Sequence, residues 1–112
     1  MTVEEFVIEQ LSASLSVPVG GAQMGTDASF VTVEQLGSST ADHTYTASLA
    51  LQSWGQSRSE AAAINEEVKT KMAAVAGLPE VSRCRLENDY YFPDLETKRP
   101  RYQAVFEVIL FN

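Results

Sequence analysis

The sequence contains few residues whose type and position could support nucleophilic or acid–base chemistry. It has one histidine, His43, beside Asp42 in a predicted polar turn, and one cysteine, Cys84, on the apolar side of a predicted strand. The sequence places no serine or cysteine where it would serve as a nucleophile for His43. We therefore predict that Cys84 is a small buried hydrophobe and that the protein is not an enzyme.

Four acidic residues near the end of the chain are the only candidates for a cation site. They are Glu87, Asp89, Asp94 and Glu96. These residues lack the regular spacing and the central glycine that a calcium-binding loop requires. The sequence therefore predicts neither a metal site nor a cofactor.

Aromatic and arginine side chains cluster toward the end of the chain. The members of this group are Tyr90, Tyr91, Phe92, Arg99, Arg101 and Tyr102. Two interpretations are open, because the rings can pack the base of a hairpin or can anchor a protein–protein interface, where Tyr and Arg are enriched. On the second interpretation, the candidate contact residues are Tyr91, Arg99, Arg101 and Tyr102.

Charge is distributed unevenly along the 112 residues, which carry a net charge of −7. Residues 1–57 contain no Lys or Arg and six acidic residues, among them Glu34 and Asp42, whereas residues 58–112 contain all eight basic residues. Both segments can be solvated surface, or the acidic surface of one copy can bind the basic surface of the next. The acidic total makes nucleic-acid binding through phosphates improbable, and no apolar run is long enough to span a membrane.

Capping boxes and hydrophobic periodicity predict two helices. Thr2 precedes Glu5 by three residues, and Ser57 precedes Glu60 in the same way, which is the spacing of a capping box. Apolar residues at spacings of three and four follow each box, and polar residues such as Asn65 fall on the other faces. The apolar positions are Val3, Phe6, Val7, Leu11 and Leu15 in the first helix, and Ala61, Ile64, Val68, Met72, Val75 and Leu78 in the second.

Alternation of apolar and polar residues predicts strands between and after the helices. The predicted strands are a short edge strand at 17–19 and longer strands at 30–36, 44–54, 81–92 and 101–111. A polar turn is predicted over 37–42, and the glycines of segment 18–29 predict flexibility until assembly. Trp54 is expected to pack beneath the start of the second helix. The last strand is apolar on both faces, which indicates a central position or cover by a neighbouring subunit.

The order helix, strands, helix, strands predicts an α+β fold in a single domain over residues 1–112. We expect a largely antiparallel sheet of four or five strands with both helices packed on one face. The other face would carry no helix, so it would be available to a partner.

Several segments together resemble a known family. They are Val17-Pro18-Val19, FVTVEQLG at 30–37, LQSWGQSRSEA at 51–61 and YYFPDLETKRPRYQAVFEV at 90–108. In this succession, with a long Ala-rich helix before the last segment, the chain resembles the small tail-terminator (tail-completion) proteins of long-tailed bacteriophages. The most specific pieces are 54–61 and 92–104. Members of that family often carry Gly-Gly after the FVTV strand, where this chain has Gly37-Ser38.

The resemblance implies a ring, usually of six copies, that caps the finished tail tube and stops polymerisation of the tube protein. Its implied partners are other copies of the chain, the tail-tube protein and the head connector protein, in a virion assembled in the host cytoplasm. DNA would pass through without specific binding, because each copy carries a charge of −7. The expected subunit or tube interface residues are Arg99, Arg101, Tyr102, Tyr91, Glu34 and Asp42.

Two other functions stay open from the sequence. One is a different neck or head–tail connector protein of the virion, which belongs to the same structural class but acts at another position in the particle. The other is a non-viral small protein-binding module or an unrecognised enzyme, because a fold alone does not determine function.

Overall fold

The computed structural model describes residues 2–21 and 28–111, in which two helices pack on a five-stranded sheet. The elements are α1 (Val3–Ser12), β1 (Val19–Gly20), β2 (Phe30–Ala41), β3 (Thr44–Trp54), α2 (Arg58–Val75), β4 (Val81–Tyr91) and β5 (Arg101–Phe111). The strand order is β1-β2-β3-β5-β4; β1 is parallel to β2 and the other neighbouring pairs are antiparallel. The predicted α+β class is confirmed, and residues 22–27 of the segment predicted to be flexible lie outside the described residues.

α1 begins with the predicted capping box. The Thr2 hydroxyl accepts a hydrogen bond from the Glu5 backbone N–H (3.0 Å), and the Glu5 carboxylate accepts one from the Thr2 N–H (2.8 Å). The hydrogen bond from the Thr2 backbone N–H is the main cause that holds the pKa of Glu5 below its usual value, and the bond with the Thr2 side chain is the second. The helix buries the predicted apolar stripe as far as Leu11 and ends at Ser12, so Leu15 packs against the core from the segment that follows.

β2 is longer than predicted, because most of the expected polar turn continues the strand. The prediction of a turn over 37–42 was wrong: Gly37–Ala41 pair with β3 after a bulge, and only Asp42 and His43 form the turn. The backbone ladder satisfies the peptide groups of this polar stretch, whose side chains are all exposed, so hydropathy gave no sign of the strand. His43 takes a φ of 65°, a left-handed conformation that histidine adopts more often than most residues do.

Both helices lie on the same face of the sheet, as predicted. A single hydrophobic core joins residues of α1 and α2 to one alternating set of strand residues. The strand members of that core are Val31, Val33, Ala47, Leu49, Leu51, Val81, Ala104, Phe106, Val108 and Leu110. β5 lies between β3 and β4, which confirms the central position that its two apolar faces indicated. We call the opposite side, which neither of these helices covers, the helix-free face.

α2 has Ser57 as its N-cap, but the predicted second half of the capping box is not formed. Ser57 Oγ accepts a hydrogen bond from the Glu60 N–H (3.1 Å), whereas the Glu60 carboxylate binds the Gln56 N–H and the Ser29 hydroxyl, each at 2.6 Å. The Ser29 bond is the main cause that lowers the pKa of Glu60. Glu60 therefore ties the start of α2 to the segment before β2.

Asn65 was predicted on a face of α2 other than the apolar stripe, but the structure buries it together with that stripe. Its side chain is buried, and Asn65 Nδ2 donates to an Asp89 oxygen on β4 at 2.9 Å. Lys69, one turn later, donates to the same oxygen at 2.9 Å and also pairs with Glu66. Hydrogen bonding to Lys69 is the main cause that lowers the pKa of Asp89. This polar link holds α2 against β4.

Trp54 packs on the helix-free face, not beneath the start of α2 as predicted. It pairs with Phe30 in the β2–β3 register, and the two rings stack with centroids 5.4 Å apart. The alternation that places Leu49 and Leu51 under the helices puts residue 54 on the opposite side of the strand. Arg99 of the loop between β4 and β5 and Arg101 at the start of β5 lie over the indole.

Candidate interaction surface

Two arginines and three aromatic rings form a cluster at one end of the helix-free face. Trp54 is 4% exposed and stacks on Phe30. The guanidinium carbon of Arg101 lies 4.7 Å from the ring centroids of both Trp54 and Phe92. That of Arg99 lies 5.3 Å from Phe30 and 5.8 Å from Trp54. We call these five residues the arginine–aromatic cluster, in which each cation–π contact contributes about 0.5–2 kcal/mol depending on its desolvation.

The loop over residues 92–100 is held in place by hydrogen bonds to backbone atoms. Arg99 Nη2 donates to the Ala28 carbonyl (2.6 Å) and the Gly55 carbonyl (3.4 Å). Arg101 Nε donates to the backbone carbonyl of Phe92, at the start of the loop (2.8 Å). Burial lowers the pKa of Arg101, although a guanidinium stays charged at neutral pH. The two arginines predicted at an interface therefore already make contacts within their own chain.

Tyr91 and Tyr102 were predicted at the same interface, but they lie on the helix-bearing face. They are paired in the β4–β5 register, and their ring centroids are 5.2 Å apart. Arg58, at the start of α2, lies 4.1 Å above the ring of Tyr91. The structure thus groups Arg99 with Arg101 and Tyr91 with Tyr102, at the same end of the molecule but on opposite faces of the sheet.

The two acidic candidates, Glu34 and Asp42, differ in their distance from the arginines. Glu34 is exposed on the helix-free face of β2, close enough for its charge to act on Arg101. Asp42 lies in the hairpin turn before Thr44, whereas Arg101 pairs with Trp54. β3 rises about 33 Å between residues 44 and 54. Contact between Asp42 and Arg101 therefore requires two copies of the chain.

A hydrogen-bonded row of side chains crosses four strands on the helix-free face. Trp54 Nε1 donates to Thr32 Oγ1 (3.0 Å), and the Thr32 hydroxyl donates to Gln52 Oε1 (3.1 Å). Gln52 Nε2 donates to Gln103 Oε1 (2.8 Å), and Gln103 Nε2 donates to Tyr90 Oη (2.6 Å). Thr32 and Gln103 are buried, so these bonds replace the water that the polar groups lose. This row was not predicted from the sequence, although strand alternation places Thr32, Gln52 and Gln103 on the face of Trp54.

The rest of the helix-free face, toward the hairpin turn, is open. Phe111 is 57% exposed at the end of β5, and Ile109 is half-buried. Arg83 and Arg85 of β4 each approach the Glu107 carboxylate at 3.7 Å. Ion pairs at this exposure contribute at most about 1 kcal/mol, so they are readily exchanged for contacts to a partner.

The residues considered for chemistry are not assembled into a site. His43 is exposed at the hairpin turn, and burial raises the pKa of Cys84 to about 11, which makes its thiolate scarce at neutral pH. The Asp89 carboxylate accepts a hydrogen bond from Asn65 of α2, and the Asp94 carboxylate accepts hydrogen bonds from Thr97. In the part of the chain that the structure describes, no three His, Cys, Asp or Glu side chains are grouped to hold a metal, and no helix is long and apolar enough to cross a membrane.

Comparison of the sequence with protein-family models and with curated proteins finds no match. The two most specific segments of the resemblance to tail terminators, 54–61 and 92–104, meet in the structure. The Gly55 N–H donates to the Pro100 carbonyl (3.2 Å), and Arg101 covers Trp54. These segments therefore share a structural role, which is to fix the loop between β4 and β5 against the end of β3.

Proposed function

We propose that the chain is a structural protein of a bacteriophage tail. In this proposal, copies of the chain associate head to tail into a ring, of six copies in the family it resembles, that caps the completed tail tube. The ring stops polymerisation of the tube and provides the docking surface for the head connector. The protein then acts in the virion by binding other proteins, without turnover of a substrate.

The observation that carries this proposal is the uneven charge of the sequence, which lacks Lys and Arg in residues 1–57, in an elongated molecule. The described residues span 42 × 24 × 22 Å. Asp42 and the capping-box residue Glu5 lie toward the hairpin-turn end, whereas Arg58, Lys98 and Arg101 lie at the other end. The exposed side chains of Asp42 and Lys98 lie at these opposite ends, so they cannot meet within one copy, but they can meet when copies follow one another around a ring.

The sheet supports an assembly role because its surface is incompletely covered. β1 pairs with β2 only at Val31 and Thr32, so among the described residues no strand pairs with the outer side of β2 from Val33 to Ala41, where the Glu4 carboxylate accepts a hydrogen bond from the Gln35 N–H. Unpaired edges and open faces invite further strands or subunits. Neighbouring subunits or the tail tube would cover these surfaces in the assembled particle.

The acidic balance of the chain fits a ring through which DNA travels. Six copies, each with a charge of −7, would repel the phosphate backbone rather than bind it. The position proposed for the chain, at the end of the tail tube, comes from the resemblance to tail terminators. The partners that this resemblance implies are the tail-tube protein and the head connector protein.

Polymerisation of a tail-tube protein from the same phage tests this proposal. Adding the chain to growing tubes should stop their elongation, and electron microscopy should show the chain at one end of each tube. An unchanged distribution of tube lengths, with no chain bound, would contradict the proposal. Binding to filled heads instead of tubes would identify the chain as a neck or connector protein.

A further inference from the structure

Leu95 is an isolated apolar side chain at the tip of the loop between β4 and β5. It is 88% exposed, more than any other large hydrophobic residue that the structure describes. A leucine at this exposure loses favourable burial energy in the free protein and regains it when a partner covers it. Leu95 therefore has the character of a contact residue rather than a core residue.

The loop that carries Leu95 is rigidly built. The Asp94 N–H donates to the Arg99 carbonyl (3.1 Å), and the Asp94 carboxylate accepts bonds from the Thr97 N–H (3.1 Å) and hydroxyl (2.6 Å). Lys98 adopts a φ of 59°, which closes the turn. Arg99 then fixes the loop to the segments before β2 and after β3. A side chain presented by a preorganised loop loses little conformational entropy on binding.

A recess of about 290 Å³ lies at the opposite end of the molecule. Its lining includes the buried side chains of Val3 and Leu110 and the exposed ring of Tyr45, with Ser38 and Thr40 of β2 beside them. An apolar cavity of about 150 Å³ is large enough to bind benzene. The recess is open to solvent and six of its nine lining residues are polar, but its volume exceeds that of a leucine side chain, and Val3, Tyr45 and Leu110 offer apolar groups to it.

The rim of the recess carries carboxylates, and the loop offers one exposed cation, Lys98, that can face them. The Glu4 carboxylate binds the backbone N–H of Gln35, which lines the recess, and Glu5 caps the adjoining start of α1. No Lys or Arg occurs in residues 1–57, which supply all but one of the lining residues. In the loop, Lys98 and Glu96 are both exposed close to Leu95. The other carboxylate of the loop, that of Asp94, is bound by Thr97 within the turn.

The geometry points to a head-to-tail contact in which Leu95 of one copy enters the recess of the next copy, with Lys98 facing the acidic rim. This inference rests on the proposed function and names the contact on which the ring would be built. A copy cannot fill its own recess, because Tyr45 and Trp54 at the two ends of β3 are about 30 Å apart. Since loop and recess are different surfaces, the contact repeats from copy to copy and generates a ring or a filament.

Cysteine cross-linking tests this contact directly. Two single-cysteine proteins are made in a Cys84→Ala background, one with Leu95→Cys and one with Thr40→Cys. Each is oxidised alone and as an equal mixture, with and without tail tubes. We expect a disulfide-linked dimer joining residues 95 and 40 in the mixture, and at least tenfold less dimer in either protein alone.

The outcomes separate this inference from the proposed function. The contact would be overturned, and the proposed ring left intact, by either of two results. One is a cross-link as strong in either single protein as in the mixture. The other is assembly to the expected mass without a cross-link between residues 95 and 40. Failure to assemble both alone and on tail tubes would overturn the ring and the contact together.

Substitution of Leu95 gives a second, independent readout. Leu95→Asp should raise the protein concentration needed for half-assembly by about tenfold or more, the factor expected from losing one buried leucine. Leu95→Met should retain assembly, and Leu86→Asp, which alters a leucine of β4 that is 39% exposed, is the matched control. Equal assembly of Leu95→Asp and the unsubstituted chain, with equal thermal stability, would contradict the contact.

Discussion

Trp54 is the only tryptophan of the chain, so its fluorescence reports on the arginine–aromatic cluster. Arg101 covers the indole and is itself partly desolvated. Arg101→Gln should shift the Trp54 emission to longer wavelength, because water reaches the ring, and should lower the free energy of unfolding by about 1–2 kcal/mol.

The matched control for this prediction is Arg83→Gln. Arg83 is 55% exposed on β4 and has no contact with Trp54 among those described. Its substitution should leave the emission unchanged. If Arg101→Gln also leaves the emission and the stability unchanged, Arg101 is not part of the packing around the indole.

Gly55 occupies a position where the chain has no room for a side chain. A Cβ on this residue would lie 2.5 Å from the backbone nitrogen of Ala61, which cannot move without disturbing the first turn of α2. Gly55→Ala should therefore lower the free energy of unfolding by about 1–3 kcal/mol, as overpacking typically does. Chemical denaturation measures this loss.

Gly37 is the control for the effect of alanine itself. A Cβ there meets no atom within 4 Å, so Gly37→Ala should change the free energy of unfolding by at most about 0.5 kcal/mol. Equal effects of the two substitutions would show that the end of β3 can move away from α2.

At the scale of elements, the link between α2 and β4 should make stability depend on pH. The pKa of Asp89 is lowered in the folded protein, first by its hydrogen bond to Lys69. A carboxylate with a lowered pKa contributes stability above its unfolded pKa, near 3.9, and this contribution is lost as pH falls through the folded value. The free energy of unfolding should therefore fall below about pH 4.

Asp89→Asn isolates the contribution of this link. The variant should be less stable than the unsubstituted chain at pH 7 and should lose less stability between pH 5 and about pH 2. Glu9→Gln, at an exposed position of α1, is the control and should keep the original pH dependence. A parallel pH dependence in the Asp89→Asn variant would contradict the role assigned to this link.

The elements that could be predicted from sequence are those whose side chains alternate between core and solvent. β3 and β5 have the predicted bounds because one face of each is apolar along its length, with buried Ser53 of β3 as the exception. The second half of β2 could not be predicted in this way, since its residues are exposed and only backbone hydrogen bonds keep it in the sheet.

The candidate surface was predictable only in part. Composition singled out Arg99 and Arg101, and the alternation along β3, if followed to its end, places Trp54 on the helix-free face. The loop contacts could not be predicted, because the bond from Arg99 to the Ala28 carbonyl joins residues 71 positions apart. No local pattern in a sequence encodes a contact of that separation.

At the scale of the whole molecule, charge should control assembly. Asp42→Lys and Lys98→Glu alter exposed residues at opposite ends of the chain, so each alone should weaken head-to-tail association. The double variant should recover much of the loss, because it restores opposite charges across the contact. Light scattering at several ionic strengths measures the effect, which salt should reduce. Additive losses in the double variant would show that these two residues do not face each other.

The mass of the native assembly tests the central claim most directly. One copy has a mass of 12.3 kDa. Native mass spectrometry of the purified chain, alone and with the tail-tube protein, should detect a single closed oligomer, six copies in the proposed ring, at least when tubes are present. A chain that stays at the mass of one copy under both conditions would contradict the account.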